Sequence, residues 1–362
     1  MIDRAEIYVP AVARFPKDLE RRHRLLEPAR EKGFKTGLML VLRDQRDLTP
    51  DMIQRQLDNL DPYVGLSAAE RPAVFIMHPN KPLTGPHRLN FLDNPKYSQE
   101  YVEQGVDFVD QLPREFTPIT GSALSFHLNT LIPPVRWHDN PYYWQRKFEE
   151  VSINLKSLAD FAARRNIGIS LETTPVPEFG DMEKSEDTFM PEEGIYFADL
   201  VNPWPFFFWT NEVKKIRELG IKLKIDLCHS YIAMQAISLV QDLPGLTKFD
   251  GMITYGISEE DLSRVVEIGR FPSLVLSNTE TGSIWDVNDA RGLYRTPELH
   301  GVQTYFEEDV TLFEGNIPTP HLQHLIREGV KMPIKFVLEI HEKDLKNSPN
   351  TKKSLDRVLE LV

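Results

Sequence analysis

Short β-rich runs alternate with longer amphipathic stretches from one end of the chain to the other, and this alternation of periods predicts a parallel sheet covered by helices. The strands are read at Glu6 to Val9, Gly37 to Leu42, Ala73 to Met77, Ala123 to Phe126, Gly168 to Leu171, Leu223 to Ile225, Ser273 to Leu276 and Ile334 to Leu338. The clearest helix is Tyr142 to Arg164, where Phe148, Val151, Leu155, Leu158 and Phe161 recur at three- and four-residue spacing. Others cover Lys17 to Lys32, Met52 to Leu60, Ser98 to Gln111, Asn211 to Leu219, His321 to Arg327 and Ser354 to Leu361. A further apolar run, Gly251 to Tyr255, competes as a ninth strand, and eight is the preferred count.

Eight strands with intervening helices predict an α/β fold, a (β/α)8 TIM barrel, as a single domain over residues 1–362. That length exceeds the usual single core, yet barrels with long loops reach it. Two connections exceed simple turns: Thr173 to Trp209 after the fifth strand and Asn278 to Thr319 after the seventh. Both follow strands, which puts them on the catalytic face of such a barrel. The first carries the string Trp204, Pro205, Phe206, Phe207, Phe208, Trp209, read as a lid or as the contact of a homo-oligomer.

Composition narrows the classes. A hydrophobic fraction of 41% with 27% charged residues is that of a globular protein with a large core. The formal charge of -12 argues against a broad basic surface that coats nucleic acid. No run approaches the ~18 apolar residues of a membrane span, and the opening residues lack a signal core, so a cytoplasmic protein without membrane contact is expected. The one cysteine, Cys228, forms no internal disulfide and is expected to pack inward, which leaves histidines and carboxylates to bind any metal.

Five apolar strands run straight into an imidazole or a carboxylate: VFIMHPN supplies His78, ALSFHLN His127, GISLETT Glu172, KLKIDLCH Asp226 and KFVLEIH Glu339. Singly, a strand-end carboxylate often caps the next helix. Converging at one barrel mouth, such carboxylates repel one another unless a cation neutralises them, and with imidazoles they form a ligand set for zinc or manganese. His229 lies one turn beyond Asp226 and is read as a ligand, a substrate-orienting group or a proton carrier.

The segments HPN, HLN, LETTP, DLCHSYIA and FVLEI resemble the xylose isomerase-like barrels, which include sugar-phosphate isomerases and epimerases and the endonuclease IV group. The resemblance to the epimerases implies one metal on Glu172, Asp226 and Glu339, with a histidine of the seventh strand as fourth ligand. Here SLVLSNTE offers only Ser277 and Asn278. The resemblance to the endonuclease IV group implies added zinc ligands at His78, His127 and His229, and loosely at His300, but the HPNKPL and HLNT loops show no DNA-inserting residues.

Three functions follow, of which the two enzymatic ones imply one to three divalent ions, zinc or manganese, and the third implies none. In an isomerase or epimerase, the metal grips adjacent oxygens of a hydroxy-carbonyl sugar while Glu172 and Glu339 give and take the proton, aided by His229. Lys81, Arg136, Arg291 and Arg295 are candidate holders of a phosphate on that small-molecule substrate, each with a solvated surface role as the alternative. The alternatives are a zinc-dependent phosphoric ester hydrolase and a barrel that has lost catalysis and serves as a binding or assembly module.

Overall fold

The computed structural model describes residues 4–79, 91, 95–116, 121–128, 143–173, 210–232, 268–291, 307–342, 344 and 346–362. Eight parallel strands close into a barrel: β1 (Glu6–Ala11), β2 (Thr36–Val41), β3 (Ala73–Met77), β4 (Leu124–His127), β5 (Ile169–Glu172), β6 (Lys222–Asp226), β7 (Ile284–Asp286) and β10 (Lys335–Val337). The strands pair in chain order, and β10 closes the ring between β7 and β1. An antiparallel pair, β8 (Asp289–Arg291) with β9 (Glu307–Val310), stands beside the barrel after β7. Among the described residues no helix is long and apolar enough to cross a membrane.

The period-2 alternation of side chains along each strand divides the apolar residues into two clusters. Ile7, Val9, Leu38, Leu40, Val74 and Ile76 point outward and join the main core between barrel and helices. Tyr8, Met39, Phe75, Met77, Ile284 and Val337 point inward and fill the barrel. Gly37 is the inner-face residue where a ring needs the space: a Cβ there would lie 2.0 Å from Tyr8 Cε1. The same alternation sends polar side chains inward on β4 to β6, since Ser125, Ser170, Lys224 and Asp226 interleave with outward-packed Leu124, Phe126, Ile169, Leu171, Leu223 and Ile225.

Seven of the expected strands overlap the observed ones. The seventh does not, because Ser273 to Leu276 lies inside a helix, Phe271–Ser277. A four-residue apolar run fits helix or strand equally by pattern, and Pro272 suits a helical first turn because its missing N–H has no partner there. The real β7 is the three-residue Ile284–Asp286, bonded in register to β6 and β10. Asn278 to Thr319 is therefore not one long catalytic-face loop, since it holds β7 itself and the β8–β9 pair.

The expected helices are all present with shifted ends: Pro50–Val64, Pro95–Gln111, Tyr143–Ala163, Thr210–Glu218, Thr319–Gly329 and Pro349–Glu360. The segment Lys17 to Lys32 divides into Pro16–Leu25 and Glu27–Glu31, with Pro28 in the first turn of the second helix. The fifth-strand connection with Trp204 to Trp209, and the run Gly251 to Tyr255, lie outside the described residues.

Candidate metal centre

The inner-face residues at the carboxyl ends of the strands meet at one mouth. His127, Glu172, Asp226 and Asp286 are the last residues of β4, β5, β6 and β7, and Glu339 follows β10 by two positions on the same face. The register sets them in a row, with His127 opposite Glu172 and Asp226 opposite Asp286. His229 comes from the helical turn that begins at Leu227.

Glu172 joins two groups of donors. Its carboxylate forms one group with Asp226 and His229 and another with Asp286 and Glu339, and within each group the ligand atoms lie within 4.8 Å of one another. In the first group, Glu172 Oε1 is 3.8 Å from His229 Nδ1, and beside it Glu172 Oε2 is 3.0 Å from His127 Nε2. The backbone N–H of His229 donates to Asp226 Oδ1 at 2.8 Å. Asn288 Nδ2 donates to both Asp226 oxygens, at 3.3 and 3.1 Å, and to Asp309 Oδ1 at 2.7 Å. His229 Nδ1 lies 2.9 Å from the Thr173 carbonyl, an acceptor only, so Nδ1 donates there and Nε2 is the nitrogen left to meet an ion.

The second group surrounds a cation that the chain itself provides. Lys224 Nζ lies 2.6 Å from Asp286 Oδ2, 2.7 Å from Glu172 Oε2 and 3.2 Å from Glu339 Oε2, with the lysine wholly buried. Burial alone would strip the proton from Lys224. The carboxylates of Asp286, Glu172 and Glu339 outweigh it, and the ammonium pKa stands well above its ordinary value. Burial also penalises the Glu172 carboxylate, but His127, Lys224 and His229 together hold its pKa below the usual range. Asp226 goes the other way, pushed up by burial against the opposing pull of His229.

A divalent cation fits the first group. Two carboxylates and an imidazole converge there with a second imidazole adjoining, and burial disfavours the charge on Asp226, a cost that a bound cation would offset. The donor set expected on Glu172, Asp226 and Glu339 is thus divided in two, because Lys224 stands between Glu172 and Glu339.

His78 is not brought to the mouth. Phe75 and Met77 are the inward residues of β3, so the next position faces the helix layer. There the His78 ring nitrogens lie 3.0 Å from the Pro79 carbonyl and 2.9 Å from that of Tyr101, and burial pulls the ring pKa down to about 4. Ser277 and Asn278 end the helix Phe271–Ser277 ahead of β7 and take no part in the site. Asp286 stands at the strand end instead, followed by Asn288. Cys228 packs into the main core as expected, and its N–H donates to Asn288 Oδ1 at 3.0 Å. Arg291 is exposed at the end of β8, while His300, Lys81, Arg136 and Arg295 lie outside the described residues.

Sequence reasoning passed over Lys224, Asp286 and Asn288. Lys224 had a readable signal: it lies two residues before Asp226 and so shares its face in a strand expected to be buried. Asp286 and Asn288 were hidden by the misplaced seventh strand.

No family model and no curated protein matches the sequence. Solved structures do match over nearly the whole chain. A xylose isomerase domain protein from Planctomyces limnophilus superposes with a TM-score of 0.50 at 13% identity, covering 99% of this chain and 96% of that one. D-allulose 3-epimerase from Methylomonas sp., solved with D-allulose, gives a TM-score of 0.50 at 10% identity over 99% and 98%. Endonuclease IV from Thermus thermophilus gives 0.43 at 13% identity over 99% and 100%. At such identities the likeness is one of fold, and the chain has the xylose isomerase-like TIM-barrel fold.

Proposed function

We propose that the chain is a divalent-metal-dependent isomerase or epimerase of a carbohydrate, shifting a proton beside a hydroxy-carbonyl group. The observation that carries this reading is the convergence of Glu172, Asp226 and His229 ligand atoms within 4.8 Å at the mouth, beside a partly exposed Glu339. A bound ion would polarise adjacent hydroxyl and carbonyl oxygens and so acidify the carbon between them. Glu172 and Asp226 with His229 would hold it, and His127, 3.0 Å from Glu172 Oε2, adjoins as a further nitrogen donor.

The proton is moved by residues nearer the opening. Glu172 Oε2 already accepts from Lys224 and lies against His127, and its low pKa suits a permanent anion better than a base. Glu339 keeps 28% of its side chain exposed against 3% for Glu172, so a substrate reaches it more readily, and Lys224 fixes one of its oxygens at 3.2 Å. Glu339 is accordingly the general base. The sugar binding of the D-allulose 3-epimerase is the precedent for the substrate class. A multinuclear ester hydrolase is less well served, because His78 faces the helices and Lys224 fills the second donor group.

The test is deuterium exchange. The Mn2+-loaded protein is incubated with a panel of ketohexoses and ketopentoses in heavy water, and loss of the carbon-bound proton is followed by NMR. Exchange into at least one sugar, abolished by Glu339→Gln with metal content unchanged, is expected. A purified protein that takes up no divalent ion would overturn the reading.

A further inference from the structure

We propose that Lys224 is a built-in replacement for a second metal ion: its ammonium permanently occupies the cation position between Glu172, Asp286 and Glu339 and makes the centre mononuclear. The assignment of the other position to an exchangeable ion rests on the reading above, whereas the role of Lys224 does not.

The geometry is that of a saturated cation site. An ammonium has three N–H donors and no acceptor, and Nζ of Lys224 donates to Glu172 Oε2 at 2.7 Å and to Glu339 Oε2 at 3.2 Å while pairing with the Asp286 Oδ2 charge at 2.6 Å. Two of those carboxylates, Glu172 and Asp286, are buried on strands flanking β6, so the lysine reaches them from between. Met77 Sδ closes another side at 3.9 Å. Carboxylates in such a place are tolerated only when paired, because an isolated buried anion loses its hydration without compensation. A divalent ion would need to stand about 2 Å from the same oxygens, at the point where Nζ already is.

Fixing the cation covalently has consequences for function. It cannot be lost to chelators, it leaves Glu172 shared between a permanent and an exchangeable cation, and it holds Glu339 toward the mouth. Three carboxylates, those of Glu172, Asp286 and Glu339, meet the one lysine and Asp226 stands in the other group, so negative charge stays available to the exchangeable ion.

The experiment is metal counting on the full chain, wild type against Lys224→Met, by elemental analysis after equilibration with Mn2+ and removal of excess. Lys224→Met should hold one more Mn2+ per chain than the wild type, and Lys224→Met/Asp286→Asn should lose that added ion. Wild type at one and the variant at two supports both readings. Wild type at none and the variant at one supports the lysine role and refutes the metal on Glu172, Asp226 and His229. Equal counts refute the lysine role. Should Lys224→Met fold only with Mn2+ present, as followed by circular dichroism, the added ion is doing the work of the lysine. The wild type gives an independent check by electron paramagnetic resonance: a spin-coupled Mn2+ pair at millimolar metal would overturn the proposal.

Discussion

Gly37→Ala tests the floor on which the candidate site stands. The added Cβ would lie 2.0 and 2.4 Å from Tyr8 Cε1 and Cδ1 and 2.7 Å from the Ala73 carbonyl oxygen. None of these neighbours yields easily. The Tyr8 ring is tethered by its hydroxyl to Glu6 Oε2 at 2.6 Å and packs edge-on to Phe75 at 5.3 Å, while Ala73 is the sheet partner of Gly37. Overpacking of this kind costs about 3 kcal/mol, the upper part of the usual range, because both ring and backbone must move. In a barrel of this length that lowers the Tm by about 4 °C. Tyr8→Ala alone costs about 4 kcal/mol through its cavity. Combined with Gly37→Ala it removes the ring clash and leaves only the Ala73 contact, so the double variant should be about 2 kcal/mol more stable than the sum predicts. Urea denaturation of the four proteins measures the coupling. Additivity within about 0.5 kcal/mol would refute the argument that Gly37 is there to admit the Tyr8 ring.

Three further outcomes are expected. Asn288→Ala removes the amide from both Asp226 oxygens, leaving Oδ1 only the His229 N–H, and should weaken Mn2+ binding by about 10- to 100-fold in calorimetric titration, with unchanged affinity ruling out an orienting role. His78→Ala should cost about 3 kcal/mol of stability in urea while leaving the metal content as in wild type, since its ring serves the helix layer; metal loss at full stability would contradict that. The pKa of Glu172 is held down in the folded chain, so its contribution to stability is complete above the unfolded value of about 4.3 and fades as pH falls through the folded value. With chelator present, Glu172→Gln should flatten the dependence of the urea midpoint between about pH 3 and pH 5, and an unaltered slope would dismiss this residue as a source of acid sensitivity.

What the sequence determined by itself was the repeating unit and the direction in which its polar ends point. Alternating periods made seven of the barrel strands legible, and apolar strands ending in His127, Glu172, Asp226 and Glu339 showed that acidic and imidazole groups converge at one rim. These are local properties, since strand period and strand end are readable within a few residues. Tertiary structure alone decided the rest. Ser273 to Leu276 and Ile284 to Asp286 compete for one place in the sheet, and only closure of the ring between β6 and β10 selects the second. His78 and His127 both follow apolar runs, yet the register of the inner face turns one toward the helices and the other toward Glu172. Nor does spacing along the chain show that Lys224 meets Glu172, Asp286 and Glu339, residues drawn from β5, β7 and the end of β10. That meeting depends on which strands are neighbours across the barrel, a long-range relation that no local pattern encodes.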